Sequence, residues 1–356
     1  MALVSLSAAA PDWQQSYFYD DADSTFNIVD LACPAPKFCI AAGMIDEIHG
    51  ADRPLAVITR DGGEHWIRQS PPDPPVSLFF LNQTEGWMIT TKSLLHTTDA
   101  GLTWKKIKSG KGYIRAFFID SQHGWLVGMR RTFRRTSDGG EHWEDVRDAE
   151  RIPGLENQIT FEYVNFSDAW HGTVLGEKTS GGDATPAWVD PEQWHPSPVS
   201  MADGGVFAGI TVDGGRTWTW DVVGLHQTLL AVSFPAADHG WLVFGPAFPT
   251  DLVSDVVARD WSAWKSTELF HLDHARIADL DKSPAAGVAL AAVHVPGKLA
   301  ETPVPGRVRL FTGKDLSDLH EETVDYRAVA RAVTLASTPS AWFAATDTGM
   351  ILRRRN

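Results

Sequence analysis

The sequence predicts an all-β protein assembled from one small unit that recurs along the chain. Tryptophan and glycine are unusually abundant, with 15 Trp and 30 Gly among 356 residues. Short runs of β-branched and aromatic residues are separated by turn residues at intervals of roughly 8 to 12 positions, which is typical of strands. No segment sustains the 3.6-residue period of an amphipathic helix, so strands are expected throughout.

One phrase, Thr-x-Asp-x-Gly-x-x-Trp, carries the repeat. It occurs at residues 59–66, 97–104, 136–143 and 211–218. An aspartate that starts a tight turn accepts hydrogen bonds from backbone N–H groups just downstream, and glycine permits φ > 0 without a Cβ clash. We therefore expect a structural role, and not a catalytic one, for the four aspartates Asp61, Asp99, Asp138 and Asp213.

A second phrase places a small residue before an anchor at the start of a strand. It occurs at Gly86-Trp87, Gly124-Trp125, Gly172-Thr173 and Gly240-Trp241, and weaker versions follow at Cys39-Ile40, Gly287-Val288 and Ala341-Trp342. These seven positions predict seven hairpins. Dividing 356 residues by seven leaves about 51 per unit, which is enough for four short strands. Six or eight units are the alternatives.

The first phrase is the Asp-box, also called the BNR repeat, which marks β-propellers. Its alternation with the Gly-Trp turns resembles the photosystem II stability/assembly factor-like propellers, well over residues 26–223 and weakly over the rest. The resemblance implies a single propeller domain over residues 12–356, most simply with seven four-stranded blades. It also implies that the face away from the boxes carries the inter-blade and insertion loops.

The two ends of the chain are expected to complete one blade together. The last unit stops before a fourth strand, whereas residues 12–18, with Trp13 in the position of a box tryptophan, are similar to the strand that follows a box. Pairing these ends would remove two open sheet edges. Residues 1–11 are interpreted as a disordered stub or a signal remnant. A loop insertion at 177–204 interrupts the fourth blade.

The candidate binding residues follow from this architecture. Arg115, Arg276 and Arg327 are expected near the start of a first strand, where they would reach the mouth of a central channel, with Tyr326 beside them. Trp188 and Trp194 lie in the insertion, and long insertions in repeat folds often serve binding. The predicted function is a non-catalytic binding or assembly scaffold for a protein or glycan partner, monomeric and without a cofactor.

The alternative function is an exported glycoside hydrolase of the sialidase type, the other large Asp-box family. That chemistry requires three arginines around a substrate carboxylate, a tyrosine nucleophile and a glutamate. Tyr326, next to Arg327 and close to Glu321 and Glu322, is the candidate nucleophile. The spacing matches no glycosidase pattern, and Arg151-Ile152-Pro153 follows a box instead of preceding one, so the scaffold is preferred.

Charge and composition exclude several classes of partner. The formal charge of −14 repels phosphate, so nucleic acid is not expected. No apolar run is long enough to span a bilayer. No metal is expected either, because His271-Leu272-Asp273-His274 offers no obvious third ligand. Two basic clusters, at 130–135 and 353–355, are interpreted as solvated strand faces, with a docking patch for an acidic partner as the alternative.

Cys33 and Cys39 are the only cysteines, and they flank a proline-rich segment that predicts a hairpin turn. Such a turn would bring the two sulfur atoms close together. A disulfide would indicate an oxidising compartment, and the predicted location is therefore extracytoplasmic.

Overall fold

The computed structural model describes residues 11–151, 159–178, 205–225, 227–236, 239–246, 253–261, 265–273, 275–294 and 305–355. Its strands form seven antiparallel sheets of the four-stranded type, which are the blades of a closed propeller. The prediction of seven blades is confirmed. Within the described residues, no helix is long and apolar enough to cross a membrane.

The first three blades are the most regular. Blade one consists of β2 Ser24–Ala35, β3 Phe38–Glu47, β4 Arg53–Thr59 and β5 Ile67–Gln69. Blade two consists of β6 Pro75–Phe80, β7 Gly86–Thr90, β8 Ser93–Thr97 and β9 Lys105–Ser109. Blade three consists of β10 Tyr113–Phe118, β11 Gly124–Gly128, β12 Thr132–Thr136 and β13 Glu144–Asp145.

The next three blades follow in chain order. Blade four consists of β14 Ile159–Phe166, β15 Gly172–Lys178, β16 Gly205–Thr211 and β17 Thr219–Leu225. Blade five consists of β18 Gln227–Ala236, β19 His239–Pro246, β20 Val253–Asp260 and β21 Lys265–Asp273. Blade six consists of β22 Ala275–Ser283, β23 Gly287–His294, β24 Gly306–Gly313, β25 His320–Glu321 and β26 Val329–Ala330.

Blade seven joins the two ends of the chain. Its strands are β27 Val333–Thr338, β28 Ala341–Thr346, β29 Met350–Arg355 and, from the other end, β1 Gln14–Phe18. Strand β1 pairs antiparallel with β29, with Gln14 opposite Arg353. Trp13 is fully buried beside Val324, so the N-terminal segment also binds blade six. The expected closure of the ring is therefore present.

The core is divided among the interfaces between blades. Seven clusters of buried apolar side chains occur, and each joins two neighbouring blades. The cluster between blades one and two, for example, packs Ile40 and Ile58 against Leu78 and Met88. Apolar residues on both faces of every blade thus hold the ring together, because burial of apolar surface is the main favourable term in folding.

The strand order separates two kinds of loop. Antiparallel succession puts the first-to-second connection of every blade, and the third-to-fourth connections of blades one to six, at one end of the ring. This end therefore carries the Gly-Trp and Thr-Asp-Gly turns. The second-to-third and inter-blade connections lie at the opposite end, which we call the loop face. The connection between β15 and β16, where the insertion was predicted, belongs to the loop face, although residues 179–204 lie outside the described residues.

Candidate functional site

A central cavity of about 710 Å³ runs through the ring and is lined by the innermost strand of every blade. The innermost strands are β2, β6, β10, β14, β18, β22 and β27. Among the described lining residues, four side chains are charged, namely Asp30, Arg115, Asp279 and Asp281. Three carboxyl groups and one guanidinium from three blades therefore face the same space.

Asp30 and Asp279 fasten neighbouring blades to each other at the cavity wall. Each follows a β-bulge in its inner strand. One carboxylate oxygen of Asp30 accepts from the next residue, and the other accepts from the Leu78 N–H of blade two at 2.8 Å. Asp279 repeats the pattern and accepts from the Leu335 N–H of blade seven at 2.7 Å. Bulges that re-aim a side chain in this way are common next to functional sites.

Burial dominates the ionisation of these two carboxyl groups. It raises the pKa of Asp30, and it raises the pKa of Asp279 to about 7. Backbone N–H donors and the positive charge of Arg115 oppose the shift in both. A poorly hydrated environment disfavours the charged form of a carboxyl group unless a cation or a hydrogen-bond donor compensates.

Arg115 is the cation at the centre of this arrangement. Its side chain lines the cavity, and its positive charge opposes the raised pKa of Asp30 in blade one, Glu162 in blade four and Asp279 in blade six. The guanidinium carbon also lies 5.0 Å from the ring centre of Tyr163, a cation–π contact. Its Nε is buried and makes no hydrogen bond to any described residue.

Blade four contributes two glutamates, of which Glu162 is close enough to Arg115 of blade three for the positive charge to oppose its raised pKa. Glu162 is the bulged residue of β14, and Glu177 on β15 accepts a hydrogen bond from the Leu229 N–H of blade five. Burial raises the pKa of both carboxyl groups, and the charge of Glu177 raises that of Glu162 further. The pKa of Tyr163 is also raised by burial, so its hydroxyl stays protonated. This pair carries no signal in the sequence, because the two residues belong to different strands.

The predicted binding residues do not all come together. Arg115 and Arg276 lie near the starts of β10 and β22, at the loop-face end of the channel. The side chain of Arg276 remains in contact with solvent, although the surrounding wall lowers its pKa by desolvation. Trp188 and Trp194 lie outside the described residues.

The expected position of Arg327 at the start of an inner strand is wrong. The outer strand of blade six is split into β25 and β26, and both parts pair with β24, so residues 322–328 form an excursion at the perimeter. The inner strand of blade seven begins only at Val333. Arg327 pairs with Asp325 at 2.7 Å, and Tyr326 is 84% exposed, so neither residue faces the channel.

The four Thr-Asp-Gly segments form equivalent turns, which we call the aspartate turns. In the first, one carboxylate oxygen of Asp61 accepts from the N–H groups of Glu64 and His65 and from the Thr59 hydroxyl. Hydrogen bonds lower the pKa of all four aspartates. Each carboxylate is thus occupied within its own turn.

The arginines of the two basic clusters are largely engaged by neighbouring acids. Arg134 pairs with Asp145 and Arg135 with Glu144 on the adjacent strand of blade three. In blade seven, Arg353 and Arg355 both contact Glu64, and Arg354 contacts Glu322. The two clusters lie in different blades and form no common patch.

The structure joins Cys33 and Cys39 in a disulfide. The bond spans the turn between β2 and β3, the first hairpin of blade one. Within the described residues, no free cysteine accompanies it.

Comparisons with known proteins agree with this architecture. Residues 110–180 match the family model described as photosynthesis system II assembly factor YCF48. No curated protein sequence matches the chain.

Solved structures share the fold at low sequence identity. A structure of YCF48 bound to D1 peptide is 16% identical, with a TM-score of 0.62 over 98% of both chains. YCF48 from Cyanidioschyzon merolae is 14% identical, with a TM-score of 0.63 over 97% of this chain and 99% of that one.

A GH74 xyloglucanase from Xanthomonas campestris is 12% identical, with a TM-score of 0.59 over 97% of this chain but 54% of the enzyme. The fold alone therefore does not separate binding proteins from enzymes. The chain is a seven-bladed β-propeller that resembles the assembly factor YCF48.

Proposed function

We propose that the protein is a non-catalytic binding scaffold whose partner is a protein, and that a segment of this partner binds at the loop face and enters the mouth of the central channel. The observation that carries the proposal is Arg115. Among the described residues that line the cavity of about 710 Å³, it is the one cation. A guanidinium presents several N–H donors, which suit the carbonyl or carboxylate oxygens of a bound segment.

The surroundings of Arg115 support binding more than catalysis. The carboxylates of Asp30 and Asp279 already accept backbone hydrogen bonds from neighbouring blades, so they hold the wall in shape. Arg276 on the same end of the ring provides a second guanidinium for contacts at the mouth. A propeller of the same fold and nearly the same length, YCF48, has been solved with a peptide bound, which favours a protein partner over a glycan.

We also propose an extracytoplasmic location. It is supported by the disulfide between Cys33 and Cys39, since such bonds persist in oxidising compartments. The partner would accordingly be an envelope or secreted protein.

Affinity capture from envelope extract of the source organism tests the proposal. Immobilised wild-type protein should retain a partner that the double variant Arg115→Ala/Arg276→Ala loses. The matched control is Arg134→Ala, which removes an arginine from the third strand of the same blade as Arg115. Equal retention of the partner by the double variant would contradict binding at the channel mouth.

The glycoside hydrolase remains the second candidate, now at a different tyrosine. Tyr163 lies against Arg115 and next to Glu162, whereas Tyr326 lies at the perimeter. The raised pKa of Tyr163 opposes its use as a nucleophile, because a nucleophile needs an accessible phenolate. Turnover of a fluorogenic glycoside panel that disappears in Tyr163→Phe would replace the scaffold with an enzyme, and we expect no turnover.

A further inference from the structure

Blade five holds a group of potential metal ligands outside the channel. Asp255 on β20, with Glu268 and His271 on β21, each present one donor atom, and the three atoms lie within 4.8 Å of one another. Asp255 and His271 are directly opposed in the sheet, and the Nδ1 of His271 lies 2.6 Å from a carboxylate oxygen of Asp255. Among the described residues, these form the single group of three that meets this distance.

A β-bulge brings the third donor to the same face. Val256 is opposite Phe270, but Val257 is opposite Glu268, so Leu269 is skipped. In a regular strand, His271 would share its face with Leu269, because side chains alternate between the two faces. The bulge instead puts Glu268 on that face and leaves Leu269 42% exposed. An apolar side chain is thus directed to solvent while a carboxylate joins the other two donors, as is common for bulges at functional sites.

The donor set selects a class of ion. Mg²⁺ and Ca²⁺ prefer oxygen ligands alone, whereas Zn²⁺ and related transition metals bind imidazole nitrogen together with carboxylate oxygen. The two carboxylates supply two negative charges to balance a divalent cation. All three side chains keep contact with solvent, so an ion can reach them.

We propose that Asp255, Glu268 and His271 bind a divalent transition metal ion of the Zn²⁺ type. Three protein ligands leave one position of a tetrahedral zinc for water or for a group of another molecule. The ion links β20 to β21 in a blade whose third-to-fourth connection lacks the Thr-x-Asp-x-Gly sequence. It therefore stabilises the folded state in proportion to its occupancy.

Isothermal titration of the untagged full-length protein with Zn²⁺ tests the site, with Mg²⁺ as the comparison ion. We expect one Zn²⁺ equivalent that Mg²⁺ does not mimic and that weakens at least tenfold in Asp255→Asn, Glu268→Gln and His271→Gln. A tenfold loss is the lower end of the effect expected when a supporting group of a metal site is changed. Co²⁺ should give the visible absorption of a bound ion in the wild type and lose it in these variants.

The matched control is His142→Gln. His142 forms the same kind of pair, with its Nδ1 2.7 Å from Asp138, but it has no third donor of the required proximity among the described residues. Zn²⁺ binding should be unchanged in this variant. The proposal is overturned if the wild type binds no Zn²⁺, or if binding persists in the three cluster variants while their circular dichroism matches the wild type.

Discussion

Blades one to four and blades five to seven reach the same architecture by different local means. In the first group, the third and fourth strands are joined by an aspartate turn, in which a threonine hydroxyl and an aspartate carboxylate accept hydrogen bonds from backbone N–H groups. Blade six instead uses a short 3-10 helix, Leu316–Asp318, that Asp315 caps. Blade seven has no continuous connection, because its fourth strand comes from the other end of the chain.

The difference shows that the turn reinforces a blade but does not define it. Buried apolar clusters occupy the interfaces of both groups, including the one between blades five and six, where Val243 and Leu290 are fully buried. The repeat is conspicuous in sequence only where the turn is present. Packing between blades is what all seven units share.

The largest effect is expected for the tryptophan that closes the ring. Trp13 is fully buried between blades six and seven, whereas Trp66 of the first aspartate turn is only partly buried. Trp13→Ala should lower the free energy of unfolding by ~3–5 kcal/mol, the range for a buried tryptophan. Trp66→Ala should cost less, and denaturant unfolding of both variants gives the comparison. Equal losses of unfolding free energy would mean that Trp13 contributes no more to stability through ring closure than Trp66 does in its turn.

A second test separates the two glycines of an aspartate turn. A Cβ on Gly63 would lie 2.8 Å from the Phe343 ring of blade seven, whereas a Cβ on Gly62 would meet nothing closer than 4.0 Å. Both glycines have positive φ. Gly63→Ala should cost ~3 kcal/mol because it adds overpacking to backbone strain, and Gly62→Ala should cost ~1 kcal/mol.

Blade two already contains the tolerated version of this change. Ala100 takes the place of the first glycine of the turn and adopts φ 65°. Thermal unfolding of the two glycine variants measures the difference. A larger loss in Gly62→Ala would contradict the role of the second glycine in close approach between blades.

The disulfide offers a third test, specific to blade one. Removing the Cys33–Cys39 bond with a double serine variant should cost ~2 kcal/mol, the chain-entropy estimate for a loop this short. Thiol titration of the unfolded wild type without reductant should find no free thiol. Two titratable thiols would remove the support for an oxidising compartment.

The smallest expected effect is the pH dependence of folding stability, which should differ between the carboxyl groups of the channel wall and those of the aspartate turns. Asp279, Glu162 and Glu177 have a raised pKa in the folded state because they are buried. The folded protein thus holds more protons than the unfolded chain, and stability should fall as pH rises from about 4 to about 8. The aspartate turns act oppositely, since the pKa of Asp213 is lowered to about 2 and its contribution is lost as pH falls below about 4.

Glu177→Gln tests the first half of this dependence. The amide oxygen can still accept from the Leu229 N–H, and no charge has to be buried. Stability measured from pH 4 to 8 should decline less in this variant than in the wild type, while the exposed Glu141→Gln should leave the decline unchanged. An identical decline in Glu177→Gln would show that this carboxyl group is already ionised at no cost.

The sequence predicted the fold far better than the site. The aspartate turns and the Gly-Trp turns are formed by residues close together in the sequence. The positions of the seven hairpins could therefore be predicted without knowing how the strands pair. Closure by residues 14–18 followed from a missing strand at the other end. The split outer strand of blade six was not foreseen, because nothing in its sequence marks the interruption, and this misplaced Tyr326 and Arg327.

The site residues that sequence reasoning missed depend on register across strands. Asp30 and Asp279 face the cavity because a bulge precedes each, and bulges leave no pattern in a single strand. Glu162 and Glu177 meet only when β14 pairs with β15. His271 was singled out with Asp273 and His274, and the described residues that share its cluster are Asp255 and Glu268, which only the pairing of β20 with β21 brings to it.

Amide hydrogen exchange of the protein with and without its captured partner would locate the binding surface. We predict slower exchange near the starts of β10 and β22, around Arg115 and Arg276, and little change in the aspartate turns at the opposite end. Protection confined to the aspartate turns or to the outer strands would contradict binding at the loop face and channel mouth.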